Sequence, residues 1–308
     1  MFFVFLGLLY GQPKLGFTGT DTVQAQEIDS FEILETVTKP ASVKHIKEAK
    51  FTSTVIDDDA YLWPKHDARV SNSVLEEEQN AITSHFCKVD PLLTQDDLYY
   101  HPAGTKQFYG DDSLVSNAER YKAKIFIDTR YNVQHWTGFY APPGELITVE
   151  IPDKALNRIK VDINVITTSR SYNYRRADQT SCRTDYINTT VTKFGWPYGG
   201  AIDFFIPIDS FPEGLEVNIS SVIKMPYFRY GATTEEEWND KISKYPAPLA
   251  VFDTGSLHIT GPSTFVRQKK NLNDVMAIWR TTMQIFIHQL QEMMEELKIQ
   301  STVSSMII

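Results

Sequence analysis

The sequence predicts a mainly β protein, α+β overall: an antiparallel β-sandwich with a short capping-box helix and a long C-terminal helix. Three observations carry this. Apolar and polar residues alternate in run after run between about 118 and 260, the period of a half-buried strand. Proline- and glycine-bearing breaks separate the runs, as in sandwiches built from many short strands. Aromatics are abundant, with 18 Phe, 15 Tyr and 5 Trp, a composition suited to sheets and to sugar-facing surfaces.

The 308 residues correspond to roughly two domains and can bury a core without help from metal or disulfides. Hydrophobics at 42% and charged residues at 22% exclude a mostly disordered chain. A net charge of -9 argues against nucleic acid as a partner, since phosphate-backbone binding wants a basic surface. No run of 18 apolar residues occurs, so no transmembrane helix is expected.

Four segments follow in order. Residues 1–11 read as a signal peptide whose apolar core is Met1 to Tyr10, although no Lys or Arg precedes it; an N-terminal strand is the other reading. Residues 12–107 form a region of uncertain fold. In it Asp57-Asp58-Asp59 reads as a solvated acidic turn, and Leu75, Ile82 and Phe86 predict a short helix over Ser73 to Phe86.

Residues 108–270 hold the sandwich. Ala123, Ile125 and Ile127 share one face, as do Ile147, Val149 and Ile151. Ile159, Val161, Ile163 and Val165 oppose Lys160, Asp162 and Asn164; Leu215, Val217, Ile219, Ser221 and Ile223 oppose Asn218. Leu257 and Ile259 continue the series with His258 outward. Thr234 with Glu237 three residues on fits a capping box opening a helix through Trp238 to Ile242. Residues 271–308 are the C-terminal helix and a divergent tail. There Val275, Trp279, Met283, Phe286, Leu290, Met294 and Leu297 make one stripe from Asn273 to about Leu297, read as core packing.

Catalytic signatures are sparse. A zincin needs H-E-x-x-H, which puts two imidazoles on one helix face beside a glutamate that activates the metal-bound water. None of the seven histidines is followed by Glu, and no two stand four apart. His288 with Glu292 offers two groups on one helix face, too few for a zinc site and typical of a surface pair. G-x-S-x-G, P-loop and G-x-G-x-x-G motifs are absent. Paired carboxylates for glycoside hydrolysis need not be close in sequence and so leave no local trace. Cys87 and Cys182 read as buried free thiols, with pairing in an oxidising compartment as the alternative. Asn188 and Asn218 begin N-x-S/T sequons, candidate N-glycosylation sites that accord with export.

The stretch from Trp136 to Glu145 (WTGFYAPPGE) resembles the opening of the enhancin-like, mucin-degrading zinc metallopeptidases, the M60-like peptidases. Further segments match that family in order: Ile159–Val165, Tyr198-Gly199-Gly200, Val222 to Phe228, Gly231 to Thr234 with Trp238, Pro246 to Ala250, and Asp274 to Trp279. The resemblance covers about residues 108–283. It implies the noncatalytic β-sandwich half of the peptidase domain. The family's H-E-x-x-H and downstream Glu have no counterpart here, so no catalytic or metal residue carries over and no cofactor is expected in this chain; zinc belongs to full-length members. The chain then reads either as a truncated copy or as a shortened, noncatalytic product.

The resemblance implies mucin or other glycoprotein glycans as partners, at the cell surface or in the medium. The alternative is a stand-alone secreted carbohydrate-binding or adhesion module. Sugars are held by aromatic faces and by polar groups that bond their hydroxyls. Candidate glycan-contacting residues are Tyr172, Tyr174, Arg176, Trp196, Tyr198 and Tyr230, with Arg175, Tyr227 and Arg229 beside them. Trp136 and Trp238, next to element starts, read as structural.

Overall fold

The computed structural model describes residues 3–5, 30–45, 87–100, 112–130, 133–164, 181–255 and 257–306. Asp57 to Asp59, the helix expected over Ser73 to Phe86, Val165, Tyr172, Tyr174, Arg175 and Arg176 lie outside the described residues.

The strands run in chain order: β1 (Phe3–Phe5), β2 (Ser30–Val37), β3 (Lys44–His45), β4 (Lys88–Val89), β5 (Tyr99–Tyr100), β6 (Arg120–Ile127), β7 (Gln134–Ala141) and β8 (Ile147–Glu150). Then come β9 (Lys160–Asn164), β10 (Ser181–Arg183), β11 (Val191–Gly195), β12 (Gly200–Phe205), β13 (Leu215–Lys224), β14 (Tyr227–Arg229), β15 (Leu249–Asp253) and β16 (His258–Pro262). The helices are α1 (Asp112–Asn117), α2 (Glu235–Asp240), α3 (Ser263–Val266) and α4 (Leu272–Met306).

The large sheet has the order β10-β9-β12-β7-β13-β8-β11-β4, with β6 and β2 branching from β13. A smaller sheet has the order β1-β16-β15-β14. Pairing is antiparallel apart from β14 with β15 and β3 with β5. The mainly β, antiparallel prediction therefore holds. The apolar start of the chain contributes β1, which pairs Phe3–Phe5 with Thr260, Ile259 and His258.

β13 organises the large sheet. Its first half pairs with β6 and β8, and its end pairs with β7. The change of partner falls at a register shift between Ile219 and Val222, where Ser221 takes φ 67°. An inserted residue of this kind kinks a strand and resets which face follows. The strict alternation expected through Ser221 therefore breaks: Val222 and Ile223 are both buried, and Ser221 is only half-buried. Elsewhere the predicted inward residues are inward. Ala123, Ile125, Ile127, Ile147, Val149, Ile159, Val161 and Ile163 all belong to one core.

A second core lies on the small sheet. Phe228, Trp238 and Phe252 form its aromatic centre, with Phe228–Trp238 ring centroids 5.8 Å apart and Trp238–Phe252 centroids 5.5 Å apart. Trp238 arrives there because α2 begins where the sequence places it. The Thr234 side chain accepts from Glu237 N, and the Glu237 carboxylate accepts from Thr234 N. Each cap satisfies a backbone donor that the first helical turn leaves unpaired. A 3-10 turn over Ile242–Lys244 follows α2.

Helix α4 differs from its expected stripe. Among its described side chains Leu272 and Met276 are buried, and Trp279 and Met283 pack against the same core, while Met294 and Leu297 lie outside the described side chains. Val275 is exposed, as are Phe286 and Leu290 further along. A 3.6-residue period fixes which residues share a stripe, but not how far along the helix its partner extends.

The cysteine expectation is corrected. Cys87 and Cys182, 95 residues apart in sequence, are joined in a disulfide with a Cα–Cα separation of 5.1 Å. It ties the chain entering β4 to β10, near opposite ends of the large sheet's strand order. Sequence spacing carries no information about a contact that strand order creates.

Candidate ligand-binding cleft

Segments distant in sequence meet at one cleft of about 200 Å³. Strand β7 supplies Trp136, Thr137 and Gly138; β14 supplies Tyr227 and Arg229; the α2 region supplies Ala232, Thr233, Glu237, Ile242 and Tyr245. Backbone geometry shapes the wall. Gly138 has φ 74°, and a Cβ there would stand 3.3 Å from Tyr227 Cδ1. The neighbouring Thr137 hydroxyl donates to Ile202 O at 2.8 Å and accepts from Phe139 N at 3.1 Å. It thereby pins the irregular β7–β12 seam.

An ion network anchors two of the lining residues, Tyr227 and Arg229. Parallel pairing sets Arg229 beside Asp253, and the tight turn after β15 returns His258 opposite the same carboxylate. Asp253 is 1% exposed. It receives the Tyr227 hydroxyl at 2.8 Å, Gly255 N at 2.6 Å, His258 Nε2 at 3.2 Å and Arg229 Nε at 3.4 Å. Burial works against its charge, but His258 and then Arg229 outweigh that and hold the carboxyl well below its usual range. His258 is thus turned onto Asp253 rather than outward, a correction to its expected wet position. Its ring also meets Trp136 edge-on at 6.0 Å. Trp136 is 5% exposed, and its Nε1 is buried with no hydrogen-bond partner.

The sequence candidates distribute unevenly. Trp196 and Tyr198, each 1% exposed, pack on one another with centroids 5.3 Å apart inside the large core. They are corrected from glycan contacts to core residues. Their aromatic character served packing, which sequence alone does not separate from display. Tyr230 is half-buried beside the second core, with the Arg280 guanidinium 5.6 Å from its ring centroid. Asn188 is exposed. Asn218 is half-buried and donates to Glu150 Oε2 at 3.2 Å. It lies in an open groove of about 610 Å³, lined also by Thr190 of the other sequon. Bonds from Lys122 above all, and from Asn218, hold the Glu150 carboxyl below its usual range against the opposing effect of burial.

Sequence reasoning missed Asp253. The only available signal was Asp253 and His258 flanking a Gly255 turn, too short a pattern to read as a network. Among the described residues the zinc expected of full-length family members has no fitting donor set. Among the described residues no three His, Cys, Asp or Glu side chains converge. His288 and Glu292 approach to 3.4 Å on an exposed helix face, two donors without a third. Among those residues, too, no helix is long and apolar enough to cross a membrane.

Comparison with known proteins identifies the architecture. The N-terminal domain of M60-like peptidases matches residues 116–220, and Peptidase M60, enhancin and enhancin-like, matches 221–303. The chain is 25% identical over 207 residues to TRPM8 channel-associated factor 3 of Rattus norvegicus, covering 66% of this chain and 22% of that protein. Its identity to the Mus musculus TRPM8 channel-associated factor 3 is 28% over 148 residues, or 46% of this chain and 16% of that one. The chain thus spans a fifth or so of the length of these curated relatives. Among solved structures, IMPa of Pseudomonas aeruginosa in complex with an O-glycopeptide aligns with TM-score 0.40 and 15% identity, covering 61% of this chain and 22% of that one. With the two family matches running without a gap from 116 to 303, this chain belongs to the M60-like, enhancin-type peptidase family.

Proposed function

We propose that this chain is a glycoprotein-recognising member of the M60-like family that does not itself cleave peptide bonds. The observation that carries the reading is a convergence without catalysis. Trp136-Thr137-Gly138, Tyr227 and Ala232-Thr233, all from segments of family resemblance, line one aromatic and polar cleft. Yet the 308 residues contain no H-E-x-x-H. The cleft, at about 200 Å³, is smaller than the roughly 300–1,000 Å³ of drug-sized ligand pockets. It suits one sugar ring rather than an extended chain. Tyr227 and Tyr245 offer aromatic surface, and Thr233 and Glu237 offer groups for hydroxyls.

The Cys87–Cys182 disulfide supports an exported protein, because such bonds persist in oxidising compartments. The exposed sequon at Asn188 agrees with that location. Glycosylation at Asn188 fits an exposed loop better than at Asn218, whose amide is engaged by Glu150.

The test is titration of the purified chain with an O-glycosylated mucin fragment and with the same fragment enzymatically stripped of sugar. Binding of the first alone, read from tryptophan fluorescence and from amide shifts near Tyr227, is expected. Equal affinity for both fragments would remove the glycan assignment. Cleavage of the mucin fragment on adding zinc would remove the noncatalytic one.

A further inference from the structure

Asp162 of β9 and Asp203 of β12 stand directly opposite one another in the antiparallel register, so their side chains project from the same face of the sheet. Both side chains are fully buried. Their oxygens divide in two. Asp162 Oδ2 accepts from Arg183 Nη2 at 2.7 Å and from Nε at 3.2 Å, and Asp203 Oδ2 accepts from Gln134 Nε2. Asp162 Oδ1 and Asp203 Oδ1 are both buried with no hydrogen-bond partner.

Charge accounting leaves one carboxylate uncompensated. Arg183 from β10 is the cation bound to Asp162. Lys160, two residues along β9 on the same face, holds its ammonium 4.5 Å from the Tyr186 ring centroid instead. His135 of β7 pairs with Phe204, the neighbour of Asp203, and so stands on the opposite face; its charge acts on Asp128. Trp136, level with Asp203 on β7, is uncharged, and His258 beyond it serves Asp253. Two ionised carboxylates here would bury a net negative charge next to a like charge, which is strongly unfavourable.

We propose that Asp162 and Asp203 share one buried proton, carried on Asp203 Oδ1 and donated to Asp162 Oδ1, making the β9–β12 seam a pH-sensitive lock. One proton taken from solvent on folding leaves the pair with a single negative charge, matched by Arg183. The single new hydrogen bond satisfies both orphaned oxygens. Burial, and then the neighbouring Asp162 charge, push Asp203 well above the usual carboxylate range, in agreement with that assignment. A raised folded-state pKa gives stability that is present at low pH and is lost as pH rises toward it. The seam therefore loosens on the alkaline side.

Isotope-edited infrared spectroscopy on the full chain, labelled with ¹³C at aspartate carboxyls, reads the proton directly. At neutral pH the wild type should show the carbonyl stretch of a protonated carboxylic acid, and Asp203→Asn should lack it. The asparagine amide imitates the protonated acid, donating permanently to Asp162. Relative to this variant, the wild-type unfolding constant should rise about tenfold per pH unit between the ordinary carboxylate pKa and the raised one. Absence of the acid band in the wild type, its survival in Asp203→Asn, or parallel pH profiles would overturn the proposal. Should the variant not fold, the wild-type spectrum alone decides.

Discussion

Arg120 and Glu145 meet through two parallel hydrogen bonds, Nε to Oε2 at 2.8 Å and Nη2 to Oε1 at 2.6 Å, with both residues almost wholly out of water. The remaining guanidinium nitrogen donates to Val115 O and Ala118 O. One residue therefore ties α1 and the start of β6 to the Pro-Pro-Gly-Glu turn after β7. A planar fork that engages all three guanidinium nitrogens is the arrangement in which Arg, rather than Lys, is specifically required.

Removing one side of that pair leaves a buried charge alone. Arg120→Met should cost about 3–5 kcal/mol of unfolding free energy, read from chemical denaturation. Arg120→Lys should recover only part of it, since an ammonium cannot reproduce the fork. Full recovery by lysine would show that charge, not geometry, holds the turn.

The disulfide gives a second expectation. Cys87 and Cys182 close a long loop, separated by 95 residues. Cross-links of this span stabilise chiefly by restricting the unfolded chain, and losing a native one typically costs ~2–5 kcal/mol. Thermal unfolding with and without reductant should show a clear fall in midpoint. Double replacement by Ala should reproduce the reduced protein's value.

How much of this was legible beforehand depended on the range of the interaction. Ala123, Ile125 and Ile127 were readable because strand period is local, and α2 was readable because Thr234 and Glu237 are one turn apart. Ser221 broke the pattern because a bulge depends on what its neighbouring strands do. Trp196 and Tyr198 were misplaced because an aromatic residue beside a turn has the same sequence signature whether it faces water or the core. Asp162 sits on the polar side of a correct alternation and is still buried, because Arg183 and Asp203 arrive from other strands. The cleft was half visible: the segments of family resemblance were found, but not that Trp136 and Tyr227 would line the same space.

Gly138 is the point where wall and backbone depend on each other. Its φ of 74° lies in the left-handed region, and a methyl group there would press on Tyr227 Cδ1 at 3.3 Å. Gly138→Ala should cost about 1–2 kcal/mol from backbone conformation and displace the Tyr227 ring. Glycan affinity should fall more than stability does, because Tyr227 faces the cleft. Unchanged affinity at reduced stability would place the ligand elsewhere on the surface.

Asp253 links the cleft to acidity, with the opposite sign from the Asp162–Asp203 pair. Its carboxyl is held below the usual range against burial, by His258 first and Arg229 second. A depressed folded-state pKa contributes stability that is fully present above the unfolded value and is lost as pH falls through the folded one. Asp253→Asn leaves the size of the side chain but strips the charge that Arg229, His258 and Tyr227 address. It should cost about 3–5 kcal/mol at neutral pH, as expected for breaking a buried ion pair, and progressively less in acid, where the wild type forfeits the same contribution. Denaturant titrations of both proteins from neutral to strongly acidic pH should therefore converge. Curves that stay parallel would mean that the network holds Asp253 by packing and not by its charge.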